Sequence, residues 1–114
     1  MKGSFVRKYR GRLEIVHDIL SAINEGTKKT HIMYKANLSF KLLNRYLEDV
    51  LMADLVVFQE EGSLYCLTES GEEFLSRCKS YFSLREQVES AMGEMSDREM
   101  ALEKMLSENN KRDS

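Results

Sequence analysis

The chain has 114 residues, a formal net charge of −2, no proline, no tryptophan and two cysteines; that is room for one domain with an appendage, able to bury a modest core without disulfides. No apolar run exceeds four residues, Leu55-Val56-Val57-Phe58 among them, far too short to span a membrane, and no apolar stretch follows the first basic residues, so neither a membrane partner nor a signal peptide is expected. Two cysteines and two histidines supply neither a disulfide framework nor a metal-ligand set, so no metal or cofactor is expected and the setting reads as reducing and cytoplasmic.

The charge is uneven along the chain. Residues 1–58 carry ten Lys/Arg against six Asp/Glu, a balance of +4, and residues 59–114 carry seven against thirteen, a balance of −6. Lys2, Arg7, Lys8, Arg10 and Arg12 open the chain with no acid among them. Residues 1–11 therefore read either as a basic, flexible arm for an anionic partner or as a solvated tail. From Arg12 the pattern turns helical: Leu13, Val16, Leu20 and Ile23 recur at three- and four-residue spacing, widened by Ile15 and Ile19, with Gly26 as the stop signal. Thr27–Lys29 suits a short extended segment. Thr30 is then the expected cap of a short second helix over 31–36, with Ile32 and Ala36 facing inward. Asn37 tolerates a left-handed turn. Ser39 is the expected cap of a third helix with an apolar stripe of Leu43, Tyr46, Leu47, Val50 and Leu51.

After Asp54 the period changes. Residues 55–59 are apolar and β-branched and residues 63–67 alternate, with Glu60-Glu61-Gly62 between them, a β-hairpin pattern. Thr68 caps a fourth helix whose first turn carries Glu69, Glu72 and Glu73, favourable at the positive end of the helix dipole. With no proline to stop it, this helix is expected to run to about Ser107, leaving 108–114 as a disordered tail.

Three helices followed by a hairpin is the order of a winged helix-turn-helix, so residues 12–68 form the expected head. In such proteins the helix after the turn enters the major groove of DNA. The polar face of the third helix offers Ser39, Lys41, Asn44, Arg45 and Glu48, with Phe40 beside it; Lys and Arg suit guanine or phosphate, and Asn suits adenine. Arg7, Lys8, Arg10, Arg12 and Lys29 complete the expected DNA-contacting set. The competing reading of the same residues is an ordinary solvated helix face. No spacing of nucleophile, base and acid, and no phosphate loop, suggests an enzyme.

The runs Gly26-Thr27-Lys28-Lys29-Thr30-His31-Ile32-Met33-Tyr34-Lys35-Ala36-Asn37-Leu38-Ser39-Phe40 and Leu67-Thr68-Glu69-Ser70-Gly71-Glu72-Glu73-Phe74-Leu75 resemble an archaeal winged-helix family. That family holds small dimeric, chromatin-associated DNA-binding proteins and predicted transcriptional regulators. The resemblance covers about residues 12–80 and implies a homodimer held by an antiparallel coiled coil of the last helix, nucleoid-associated double-stranded DNA as partner, and contact through Ser39, Lys41, Asn44, Arg45 and the wing. Two positions depart from the family pattern. Asp54 stands where the family usually has glycine, and the wing tip carries Glu60 and Glu61, which phosphate repels.

The last helix carries its own message about assembly. Phe74, Cys78, Tyr81, Arg85, Val88, Met92, Met95, Glu99, Leu102 and Leu106 alternate four and three apart, an a/d seam with eight apolar members of ten. Residues 69–107 are therefore expected to be a dimerisation helix, roughly 57 Å long at 1.5 Å per residue, too long for a small head to cover. A parallel pair would set Arg85 against Arg85 and Glu99 against Glu99. An antiparallel pair, with facing numbers summing to about 184, sets Arg85 against Glu99 twice. Gly93 lies beside that two-fold axis, either for close backbone approach or as a tolerated glycine. The fold class is thus α+β and mostly helical: a winged helix-turn-helix head and a long C-terminal helix in an antiparallel coiled-coil dimer. The alternative function is a winged-helix protein-interaction module with little affinity for DNA, which the acidic wing favours.

Overall fold

In the computed structural model, which describes residues 10–113, the chain leaves extended backbone at Gly11 and enters α1 (Arg12–Ala22). Glu14 in its first turn complements the helix dipole. Ile15, Val16, Ile19, Leu20 and Ala22 form its buried stripe, while Leu13 stays exposed. The helix ends before the glycine expected to stop it. Ile23 is the C-cap with extended backbone, and its side chain is buried. Burying Ile23 in that conformation carries the chain toward the sheet, and Thr27 there exchanges backbone hydrogen bonds with Tyr65 at 2.9 and 2.8 Å. The short extended segment expected near Thr27 is therefore a single β-bridge.

That bridge also moves the start of the next helix. Lys28 remains extended and is the N-cap of α2 (Lys29–Ala36), with no side-chain cap, so Thr30 sits inside the helix instead of capping it. Ile32 and Ala36 face inward as expected. Asn37 closes α2 in the left-handed conformation at φ 56°. Ser39 caps α3 (Phe40–Met52), its Oγ accepting from the Leu42 amide at 3.1 Å. Leu43, Leu47 and Val50 are its buried positions, with Tyr46 and Leu51 packed at the margin. Asp54 takes the left-handed backbone that the family's usual glycine would take, at φ 64°.

Strands β1 (Val56–Gln59) and β2 (Leu64–Leu67) pair antiparallel with Val56 opposite Leu67 and Gln59 opposite Leu64. The turn between them places Gly62 and Ser63 at positive φ. Only Val56 of β1 is buried; Phe58 pairs instead with Tyr65, ring centroids 4.8 Å apart. Thr68 then fastens the hairpin to the end of α3. Its hydroxyl donates to the Asp54 carbonyl at 2.6 Å and accepts from the Gly71 amide at 2.9 Å, and its own amide donates to the Leu55 carbonyl at 3.0 Å. Any side chain at Gly71 would collide with that Leu55 carbonyl. The glycine is there because two backbones meet, a requirement that its place in a first helical turn does not reveal.

The core of the head is one cluster drawn from α1, α2, α3 and β1. Ile19, Leu20, Ile32 and Leu43 are fully buried within it, each contributing about 1.5–3 kcal/mol relative to exposure. The last helix, α4 (Glu69–Asp113), begins in this unit. Phe74 and Leu75 pack against the core, and Cys78 is buried to 6% exposure. Phe74 and Cys78, both expected on the seam, thus have surroundings within the single chain. Burial pushes the Cys78 thiol up from its ordinary pKa. Cys66 on β2 is half-buried and donates its S–H to the Glu25 carbonyl at 3.2 Å. α4 continues past Ser107 to Asp113, because residues 108–113 contain neither glycine nor proline to end it.

Residues from Lys79 onward form a second unit. Among their described side chains none is buried. Tyr81, Leu84, Val88, Met92, Met95, Met100, Leu102, Met105 and Leu106 are all exposed, Met95 to 70%. The Arg85 guanidinium lies over the rings of Tyr81 and Phe82, at 5.7 and 4.9 Å from their centroids, and Arg98 pairs with Glu94 one turn away at 3.2 Å. No helix is long and apolar enough to cross a membrane, among the described residues.

Candidate nucleic-acid interface

The face of α3 opposite its buried stripe carries the residues singled out in the sequence. Phe40, Lys41 and Arg45 are exposed, Asn44 is half-buried, and Glu48 follows one turn on. Spacings of three and four residues put Lys41, Asn44, Arg45 and Glu48 on one side of the helix. Ser39 sits at its start with its Oγ already accepting the Leu42 amide, which leaves the hydroxyl hydrogen to donate outward. The Arg45 guanidinium lies over the Tyr46 ring, 5.7 Å from its centroid, and the residue remains exposed.

The preceding helix contributes more than the sequence reading allowed. Lys29 is half-buried, and its ammonium stands 4.9 Å over the Phe40 ring, joining the start of α2 to the start of α3. Lys28, His31, Tyr34 and Lys35 are exposed on the same helix-turn-helix unit, Tyr34 to 84%. The signal that would have found them is a gap. Between Glu25 and Glu48 the sequence has five Lys/Arg and no Asp or Glu.

Not every expected basic residue is free for a partner. Arg7 and Lys8 lie outside the described residues, as does Lys2. Arg12 is 74% exposed with Asp49 3.8 Å away, a long surface pair worth little in water. Arg10 is committed within the head. Its guanidinium is 2.8 Å from Asp18 and donates to the carbonyls of Ala36 and Asn37 at 2.6 and 2.7 Å. The wing tip is the other exception, with Glu60 and Glu61 exposed. His17, a half-buried residue on α1, lies 3.3 Å from Asp18 and 3.5 Å from Ser21. No group of residues able to hold a metal ion occurs among the described residues.

A winged helix-turn-helix family model matches residues 9–86, more than half of the chain. The chain belongs to the winged helix-turn-helix family. Its relatives include two archaeal proteins of Methanocaldococcus jannaschii. The uncharacterized protein MJ0290 is 34% identical over 76 residues, 66% of this chain, and the uncharacterized protein MJ0287 is 31% identical over 80 residues, 68% of this chain. The match spans about a third (35%) of the first relative's length and 80% of the second's. Among solved structures, Sso10a-2, a DNA-binding protein from Sulfolobus solfataricus, superposes with a TM-score of 0.73 at 24% identity, covering 77% of this chain and 95% of that one. That likeness concerns the fold.

Proposed function

We propose that this winged helix-turn-helix protein binds double-stranded DNA as a homodimer, as a transcriptional regulator or a chromatin-architectural factor. The observation that carries the reading is the exposed face of α3. Lys41, Asn44 and Arg45 stand on a helix whose start is fixed by Ser39, beside an α2 that adds Lys28, Lys29 and Lys35, with no carboxylate in the stretch between Glu25 and Glu48. A helix of this kind fits the major groove, with its N-terminal residues at base edges and flanking cations on phosphates. That a fold neighbour is described as DNA-binding supports the same reading. Arg7, Lys8 and Arg12 serve as further phosphate contacts in it.

The dimer is proposed from α4. Tyr81, Val88, Met92, Met95, Leu102 and Leu106 are exposed at a/d spacing, and a helix with an apolar stripe in water is stabilised by pairing. An antiparallel pair sets Arg85 against Glu99 of the partner subunit and so selects the register.

A second reading, a protein-interaction module, is favoured by one feature: the exposed Glu60 and Glu61 at the wing tip. A titration of a fluorescent mixed-sequence duplex at low and moderate salt, with Lys41→Glu/Arg45→Glu alongside, separates the two. The DNA reading expects binding that weakens steeply with salt and collapses in the double variant. No binding at low salt, or an indifferent double variant, favours the interaction module.

A further inference from the structure

Among the described cations of the expected DNA-contacting set, Arg10 is the one whose two terminal nitrogens both bind within the head, and where they go is informative. The last carbonyls of a helix have no partner within it. In α2 those of Ala36 and Asn37 lie at the turn of the helix-turn-helix, and Arg10 binds both, one through each terminal nitrogen. The nitrogen that reaches Ala36 also holds Asp18 on α1. The other oxygen of Asp18 is 3.3 Å from His17 Nδ1, so the carboxylate is held from two sides. The turn itself is closed by the Asn37 amide to Tyr34 and the Leu38 amide to Met33, at 3.2 and 3.1 Å. Ser39, the cap of α3, follows two residues after Asn37. One guanidinium thereby joins α1 to the turn immediately before the helix that faces the proposed DNA.

We infer that Arg10 is a positioning residue for DNA recognition: it fixes the turn that aims α3 and contributes no phosphate contact of its own. The inference rests on the duplex-DNA reading above and goes beyond it by separating Arg10 from the cations it was grouped with. The residue type fits. A planar fork presents donors in two directions at once, which an ammonium cannot reproduce. The charge fits as well, since Asp18 at 2.8 Å neutralises it locally.

Salt dependence distinguishes a positioning role from a phosphate contact. Each phosphate contact removed lowers the slope of log K against log salt by about one. The experiment compares the full chain with Arg10→Gln, Arg10→Lys and Arg12→Gln in mixed-sequence duplex titrations over a salt series. Amide hydrogen exchange at Asn37 and Leu38 is followed in the free proteins, with circular dichroism to confirm that each folds. The expected result is that Arg10→Gln and Arg10→Lys both weaken binding by about tenfold or more, corresponding to about 1.4 kcal/mol, with the parental slope retained. Arg12→Gln is expected to lower the slope by about one. The turn amides should exchange faster in both Arg10 variants without DNA present. A slope lowered by Arg10→Gln, with Arg10→Lys binding as the parent does, would overturn the inference in favour of a phosphate contact. Because exchange is read on the free protein, unchanged turn amides overturn the inference whatever the titration gives. Faster exchange in the variants of a parent that binds no duplex overturns the DNA reading instead and upholds the hold on the turn.

Discussion

The head and the helix beyond Cys78 spend their apolar residues in opposite ways. In the head, thirteen hydrophobic residues from α1, α2, α3, β1 and their connections make one buried cluster, and no buried side-chain nitrogen or oxygen among the described residues lacks a hydrogen-bond partner. From Lys79 onward a comparable supply of Leu, Met, Tyr and Val lies exposed on a single helix. The head buries these apolar residues within a single chain. A long helix with an exposed a/d stripe has its apolar surface still to bury, and in the proposed dimer a second copy buries it. In the proposed assembly, recognition by the head and pairing through α4 are therefore separable, and substitutions in one region should leave the other's property intact.

The largest expected effect falls on the head. Gly71→Ala drives a Cβ into the Leu55 carbonyl, which also accepts the Thr68 amide. Such overpacking costs about 3 kcal/mol, read as a lower urea midpoint for the head, and an unchanged midpoint would mean that the hairpin is not locked to α3 in this way. Next is Glu99→Arg, which places like charges in the proposed seam. It should weaken the dimer by about 2 kcal/mol, near thirtyfold in Kd, in sedimentation measurements. The double swap Arg85→Glu/Glu99→Arg should largely restore it, and a single variant that dimerises like the parent rules out the antiparallel register. The smallest effect has the opposite sign. Gly93 has open space where a Cβ would go, and it lies one residue past the a/d position Met92, off the seam. Gly93→Ala should therefore stabilise α4 by about 1 kcal/mol, seen as a raised helical melting temperature; a loss of dimer on this change would show that the partner backbone approaches closely there.

How far the sequence discloses all this differs by element. The order of helices and hairpin follows from apolar period and turn residues, and Asn37 and Ser39 can each be placed from side-chain chemistry alone. What it hides are effects of distant backbone. α2 starts at Lys29 because Thr27 pairs with Tyr65, far along the chain, and no local cap announces that. Gly71 is required by the carbonyl of Leu55, and Arg10 is withdrawn from the basic arm by carbonyls 26 and 27 residues away. For the candidate interface, the residues on α3 are legible from helical spacing. Lys28, Tyr34 and Lys35 escape a reading that looks only at the helix after the turn.

In the proposed complex α3 supplies the attractive contacts to DNA, and the acidic wing supplies none. Binding of a mixed-sequence duplex across a salt series by the parent, by Lys41→Glu/Arg45→Glu and by Glu60→Lys/Glu61→Lys tests it most directly. The predicted result is loss of binding in the α3 variant, on the order of a hundredfold at low salt, with the wing variant binding at least as tightly as the parent because repulsion from phosphate is removed. A parent that binds no duplex, or an α3 variant that binds as the parent does, contradicts it.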